Sequence, residues 1–129
     1  MKKVKGYISS RKVFGNFYPQ KVQNLVIRDY CKRKKYFFLF SSVEYSINKS
    51  YLIFEELLEN IDKVKGIVCF SIFQFPLDNK IRNNMFNKII KKRKFIDFAL
   101  EEISIKKKVD ILNFNELATS KYEDEIKKK

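Results

Sequence analysis

A short apolar stretch near the start of the sequence leads directly into side chains that bind polar groups. The stretch Gly6-Tyr7-Ile8 is followed by Ser9, Ser10 and Arg11, which bring together two hydroxyls and one guanidinium. A guanidinium forms bidentate hydrogen bonds with phosphate or carboxylate, and a hydroxyl both donates and accepts. Since open α/β sheets bind ligands beyond the carboxyl ends of their strands, these residues predict a ligand site there.

Three further clusters of polar side chains follow other apolar segments. They are Ser41, Ser42 and Glu44, then Ser71 and Gln74, then Glu101 and Glu102. Parallel strands present their carboxyl ends on one side of the sheet, so we expect the clusters to converge there. Hydroxyls, amides, carboxylates and a guanidinium together suit a polyhydroxylated or anionic ligand. For each residue alone, the alternative is that strand ends are polar because loops are solvated.

Each candidate side chain has a predicted role at this site. Ser9, Ser10 and Arg11 are predicted to hold anionic or hydroxyl groups, and Ser71 and Gln74 to orient them. Whether the protein is an enzyme stays open; if it is, a carboxylate is the candidate general base. The candidate bases are Glu44 and Glu101, and the other ligand-binding candidates are Gln20, Gln23 and Arg82.

Composition excludes several classes of site. The sequence contains no histidine, which removes imidazole catalysis and most zinc sites, and we predict no metal site. Its three glycines, at positions 6, 15 and 66, cannot form a dinucleotide fingerprint or a P-loop. No particular cofactor is therefore predicted. Cys31 and Cys69 lack the spacing of a metal site, and we expect both to be buried thiols.

The formal net charge of +13 raises the possibility of a nucleic-acid partner. Only five of the 28 basic residues are arginine, the side chain that bidentate phosphate and guanine recognition favours. The lysine excess is typical of biased codon usage in an AT-rich genome. We therefore interpret the charge as solvated lysine, and specific nucleic-acid binding is not predicted.

Strand and helix patterns alternate along residues 1–105. This order predicts one α/β domain, a mostly parallel four-stranded sheet with helices on both faces. Residues 106–129 are predicted to form a C-terminal helix, at Val109–Leu117, and a charged, mobile tail. The predicted strands are Val4–Ser9, Tyr36–Ser41, Ile67–Ile72 and Phe95–Leu100, and the predicted helices are Pro19–Lys34, Ser50–Lys63 and one capped by Asp78.

Apolar patterns predict how these elements pack. The uninterrupted run Tyr36–Ser41 indicates a strand covered on both faces, and Ile67–Ile72, the most apolar strand, indicates the centre of the sheet. Three predicted helices carry apolar residues at helical spacing, and the second, Ser50–Lys63, does so at Tyr51, Phe54, Leu57, Leu58 and Ile61. The inward residues are predicted to be Val22, Leu25, Val26 and Tyr30 in the first helix, and Ile81, Met85 and Ile89 in the third.

No segment is long enough to span a membrane. The longest apolar stretches, Tyr36–Phe40 and Ile67–Phe70, are far shorter than the roughly 20 residues that a span requires. The N-terminal residues also lack the apolar core of a signal peptide. We therefore expect a cytoplasmic protein.

The order of motifs resembles the catalytic domain of serine recombinases. The resemblance rests on the Gly6-Tyr7-Ile8 strand, a helix with Gln23 and Tyr30, and an apolar strand after Gly66. It implies a resolvase-like, three-layer fold. The family's chemistry needs an Arg just after its Gly-Tyr-x opening, a nucleophilic Ser two residues on, and an Asp-Arg-Leu-x-Arg run. Here Ser9, Arg11 and residues 73–77 stand at those positions, so recombinase activity is not predicted.

A second resemblance covers the chain through about Ile105. The sequence is similar to a small family described as sporadic carbohydrate cluster proteins, encoded among bacterial surface-polysaccharide genes. The matching motifs include Gly6-Tyr7-Ile8-Ser9-Ser10-Arg11, Pro19-Gln20 with Gln23-Asn24, Ile27-Arg28-Asp29-Tyr30-Cys31, Glu44-Tyr45, Gly66-Ile67-Val68, Ser71 with Phe73-Gln74-Phe75-Pro76, Arg82 and Glu101. This resemblance implies a pathway and not a particular reaction.

Three hypotheses on function follow. The first is a cytoplasmic protein of O-antigen, lipopolysaccharide or capsule biosynthesis that binds or modifies a sugar or sugar nucleotide at the strand ends. The second is a DNA-associated or regulatory protein on a recombinase-like fold that lacks recombinase activity. The third is a non-catalytic scaffold that binds a biosynthetic enzyme.

Overall fold

Helices and strands alternate through the computed structural model, as the sequence pattern predicts. The structure describes residues 1–13, 15–47, 50–76 and 78–127, with side chains through Ser120. The elements are β1 (Lys2–Ile8), α1 (Gln20–Lys34), β2 (Tyr36–Val43), α2 (Leu52–Glu59), β3 (Gly66–Cys69), α3 (Asn79–Lys91), β4 (Phe95–Phe98), β5 (Ile103–Ile105) and α4 (Lys108–Lys127).

The sheet that the described residues form has five strands in the order β2-β1-β3-β4-β5. The first four strands are parallel, and β5 is antiparallel to β4. The prediction of a mostly parallel sheet with β3 at its centre is confirmed, but the count of four strands is one too low. The chain turns after Phe98, with Glu102 at a φ of 56°, so the segment after β4 returns as β5.

Helices cover both faces of the sheet because side chains alternate along each strand. On one face, α1 packs Ile27 and Tyr30 against Val4 and Val68. On the other, α2, α3 and α4 enclose an aromatic cluster, in which the rings of Phe75, Phe86, Phe98 and Phe114 contact one another. Both cysteines are buried thiols, as predicted.

Two helices bury only part of the apolar set that the spacing predicts: Tyr30, Met85 and Ile89 are buried as predicted, but other members are not. In α1, Leu25 is 58% exposed and Val22 is 38% exposed, whereas Gln23 is buried. In α3, Ile81 is 52% exposed and Arg82 is buried in its place. The buried amide and guanidinium both form hydrogen bonds inside the fold, which removes the usual cost of burying a polar group.

The strand β2 lies at the lateral edge of the sheet and is not covered on both faces. Phe37 and Phe40 are 50% and 54% exposed. The ammonium of Lys5 lies 5.2 Å from the centre of the Phe40 ring. The uninterrupted apolar run therefore predicted the strand correctly, but the predicted cover on both of its faces is wrong because β2 is a lateral strand.

The last helix, α4, continues to Lys127, ten residues beyond the predicted end at Leu117. Ile111, Phe114 and Ala118 belong to the core on the face shared with α2 and α3. The segment after residue 105 therefore packs on the same core as the preceding residues. The predicted mobility of the tail, whose last two residues lie outside the described range, stays a prediction.

Gly66 allows the ring of Phe95 to pack directly on the backbone of β3. A Cβ added at position 66 would lie 2.5 Å from Cδ2 of Phe95, closer than real Cβ contacts allow. We expect Gly66→Ala to lower the free energy of unfolding by about 1–3 kcal/mol, which urea denaturation will measure. Phe95→Leu in the same chain should recover part of this loss. A loss that is unchanged in the double variant would contradict steric overlap as its cause.

Candidate functional site

Residues from two loops and one helix meet at the carboxyl end of the sheet, where β1–β4 finish. The Gln23 amide donates to the carbonyl oxygens of Ser9 at 2.7 Å and Tyr18 at 2.9 Å. The Gln74 amide donates to the Ser9 carbonyl at 3.2 Å and to Oε1 of Gln23 at 3.1 Å. The structure thus joins three predicted ligand-binding residues, Ser9, Gln23 and Gln74, in one buried network.

This network retains an acceptor that nothing in the described residues satisfies. Oε1 of Gln74 is buried and has no hydrogen-bond partner among them. Buried polar atoms are nearly always paired with protein, water or ligand. Oε1 of Gln74 therefore retains the capacity to accept one further hydrogen bond, from water or from a ligand.

Glu44, a predicted general base, acts as a structural acceptor in this arrangement. Its carboxylate accepts from the hydroxyls of Tyr7 at 2.9 Å and Ser50 at 3.2 Å. It also accepts from three backbone N–H groups, those of Tyr45, Ile53 and Phe54, the last two in the first turn of α2. These donors occupy both oxygens, so the carboxylate fixes the β2–α2 connection and the start of α2.

Arg11 borders the same cluster and is only partly buried. Its guanidinium donates to the Tyr7 hydroxyl at 3.4 Å and to the Ser50 carbonyl, and lies 4.1 Å from the Tyr51 ring centre. Burial is the main cause that raises the pKa of Tyr7. The Tyr7 hydroxyl therefore stays protonated and donates to Glu44, while the position of Arg11 leaves its charge near the surface.

Ser71 and Glu101 form a second pair at this end of the sheet. The Ser71 hydroxyl donates to Oε2 of Glu101 at 2.7 Å, and the Ile72 N–H donates to Oε1 at 2.9 Å. Ser71 is fully buried, and its Oγ accepts from the Phe73 N–H. Glu101 thus holds the turn that follows β3 in place.

Three predicted site residues lie apart from these clusters. Ser10 is exposed and forms a hydrogen bond with Ser46, and Gln20 is exposed at the first position of α1. Arg82 lies between α3 and α4, where its guanidinium donates to Asn79 and to Asn115 and stacks 5.0 Å from the ring centre of Phe114. The roles proposed for all these side chains stay predictions.

A second buried polar cluster, which the sequence argument did not identify, lies around Asp97 in β4. Its carboxylate accepts from the hydroxyls of Tyr30 and Tyr36, both at 2.8 Å, and from Ser104 at 2.5 Å. Burial and the Asp97 charge raise the pKa values of both tyrosines. An aspartate inside an otherwise apolar strand was the available signal. Within the described residues, no three acidic or thiol side chains gather as metal ligands.

The sheet order, the antiparallel last strand and the helices on both faces define an α/β protein with a resolvase-like fold. The structure is similar to that of a resolvase family site-specific recombinase from Streptococcus pneumoniae, with a TM-score of 0.73 and 15% sequence identity. The match covers 96% of this chain and 90% of that chain. No protein-family model and no curated protein matches the sequence. In the described part of the chain, no helix is long and apolar enough to cross a membrane.

Proposed function

We propose that this protein is a cytoplasmic component of bacterial surface-polysaccharide biosynthesis that binds a sugar or sugar nucleotide at the carboxyl end of its sheet. The observation that carries the proposal is the buried Oε1 of Gln74 beside the Ser9 backbone, which has no hydrogen-bond partner among the described residues. A sugar hydroxyl supplies the donor that this acceptor lacks. The motif resemblance to the sporadic carbohydrate cluster proteins supports the choice of pathway.

Arg11 is the side chain best suited to the charged part of such a ligand. It is partly exposed and lies two residues beyond Ser9, whose Oγ accepts from the Arg11 N–H at 3.3 Å. A guanidinium holds a diphosphate through paired, charge-assisted hydrogen bonds. Hydrogen-bond donors already occupy both carboxylate oxygens of Glu44. We therefore propose ligand binding and assign no general base.

Thermal unfolding of the full chain tests this function. We expect one member of a panel of nucleotide sugars, nucleotides and free sugars to raise the Tm. A ligand at 100 times its Kd adds about 2.7 kcal/mol, or several degrees for a domain of this size. Arg11→Lys keeps the charge but loses the bidentate fork, so it should weaken binding about tenfold or more.

Arg93→Lys is the matched control, because Arg93 is exposed at the far end of α3. It should leave ligand affinity unchanged. A panel without any shift, or an equal loss in both variants, would overturn the proposal. If no ligand raises the Tm and a biosynthetic enzyme co-purifies with the protein, the scaffold hypothesis is favoured instead.

A DNA-associated role is the second candidate, favoured by the resolvase-like fold and the net charge of +13. Lysine-driven binding to phosphates weakens steeply with salt and ignores sequence. Duplex DNA that binds with a steep salt dependence, and equally well in Arg11→Lys, would support this role over the first.

A further inference from the structure

We propose that a lysine-lined cavity at the amino end of the sheet, opposite the site above, binds a small phosphate-bearing anion. The cavity has a volume of about 410 Å³, and its lining includes Lys2, Lys34, Lys35, Tyr36, Asp97 and Lys106. Lys2 and Tyr36 lie at the starts of β1 and β2, where the strands enter the sheet. The inference does not depend on the proposed function.

The charges around this cavity are strongly unbalanced. Among the described residues that line it, four are lysines and one, Asp97, is a carboxylate, which leaves an excess of three positive side-chain charges. Within the described residues, none of these lysines forms an ion pair with Asp97; the salt bridges there join Arg33 to Asp29 and Glu102. Like charges that line one cleft raise the local concentration of anions.

The lysines come from distant parts of the chain, and two of them lie over the same aromatic ring. The ammonium groups of Lys2 and Lys106 lie 5.6 and 5.7 Å from the centre of the same Phe95 ring. The ammonium of Lys34 lies 5.7 Å from the centre of the Tyr30 ring. Lysines on a merely solvated surface separate to reduce repulsion, whereas these meet at one depression that a multiply charged anion neutralises.

The polar group at the floor of the cavity, the Asp97 carboxylate, already has its hydrogen-bond partners. Asp97 is fully buried, and both of its oxygens accept hydroxyl hydrogen bonds, from Tyr30, Tyr36 and Ser104. Hydroxyl donors thus occupy both carboxylate oxygens, and the charge of Asp97 offsets only one of the four lysine charges. The volume falls within the usual range of small-molecule sites, so a diphosphate or a phosphorylated metabolite fits better than a nucleic-acid duplex.

Calorimetric titration of the full chain with inorganic pyrophosphate tests the site. We expect binding that Lys34→Gln with Lys106→Gln weakens at least tenfold, about 1.4 kcal/mol. The control pair Lys80→Gln with Lys88→Gln removes the same charge from exposed positions of α3 and should change affinity less than threefold by screening alone. In NMR spectra of the Arg11→Lys variant, in which the carboxyl-end site is weakened, pyrophosphate should shift the amides of Lys35 and Ser104 and leave that of Ser10 in place.

Several results would overturn the site. They are absence of pyrophosphate binding at low salt, equal losses in the two lysine pairs, or amide shifts spread over the surface. Displacement of pyrophosphate by duplex DNA, with equal losses in both pairs, would identify a nonspecific phosphate surface instead. Because Arg11 at the carboxyl-end site can also hold a diphosphate, the titrations are repeated in Arg11→Lys. Binding that persists in Arg11→Lys and is lost with Lys34→Gln and Lys106→Gln belongs to this site, so its failure and failure of the carboxyl-end site are distinguishable.

Discussion

Glu44→Ala should lower the free energy of unfolding by about 3–4 kcal/mol, one of the two largest effects that we expect. The substitution removes the acceptor for two hydroxyls and three backbone N–H groups. Each buried donor that is left unpaired costs about 1–3 kcal/mol, and water that enters the space recovers part of this. Urea denaturation monitored by circular dichroism measures the loss.

Glu55→Ala is the matched control, since Glu55 is an exposed carboxylate in the first turn of the same helix. Its favourable interaction with the helix dipole is worth about 0.3–1 kcal/mol. If Glu44→Ala costs no more than Glu55→Ala, the structural role of Glu44 is wrong. A role in catalysis would then explain the burial of the Glu44 carboxylate better than a structural role.

Raising the pH above about 10 should destabilise the protein steeply, because several buried tyrosines then ionise only on unfolding. The pKa values of Tyr7, Tyr30 and Tyr36 are raised, mainly by burial. Their contribution to stability is complete below the unfolded pKa of about 10 and is lost as the pH rises through the folded values. Each tyrosine contributes a slope of up to about 1.4 kcal/mol per pH unit. Urea denaturation at a series of alkaline pH values measures it.

Tyr30→Phe isolates one of these contributions. Above about pH 10 it should show a shallower fall in unfolding free energy than the wild type, since one ionisable hydroxyl is gone. Tyr45→Phe, at an exposed tyrosine, should keep the wild-type slope. Identical slopes in all three proteins would show that tyrosine ionisation is not the cause.

Short-range patterns in the sequence predicted the helix cap and the strands, which depend on neighbouring residues. Asp78 caps α3 by accepting from the Ile81 N–H at 3.0 Å, as predicted, because a cap is decided within one turn. The apolar segments gave four parallel strands in the correct order along the chain. The turn at Glu102 was missed, since a non-glycine residue with positive φ carries no clear sequence signal.

The candidate site was predicted in part. The polar residues 9–11, 71–74 and 101–102 follow the carboxyl ends of β1, β3 and β4, whereas Ser41 and Ser42 lie within β2 and Glu44 follows it. Ser9 is joined to Gln23 and Gln74 at this end of the sheet. The bonding partners could not be predicted. Asp97 was missed as the centre of a cluster because its hydroxyl partners come from α1, β2 and β5, up to 67 residues away in sequence.

The sequence alone determined the class of fold, the alternation of elements and the buried thiols, because apolar periodicity and local caps depend on near neighbours. Tertiary structure alone decided that β2 is a lateral strand and that Gln23 and Arg82 face inward. It also decided that hydrogen-bond donors occupy both carboxylate oxygens of Glu44. It also brought Lys2, Lys34 and Lys106 around one cavity. These features depend on contacts between residues far apart in the chain, and long-range contacts override local propensity wherever a buried polar group finds its partners.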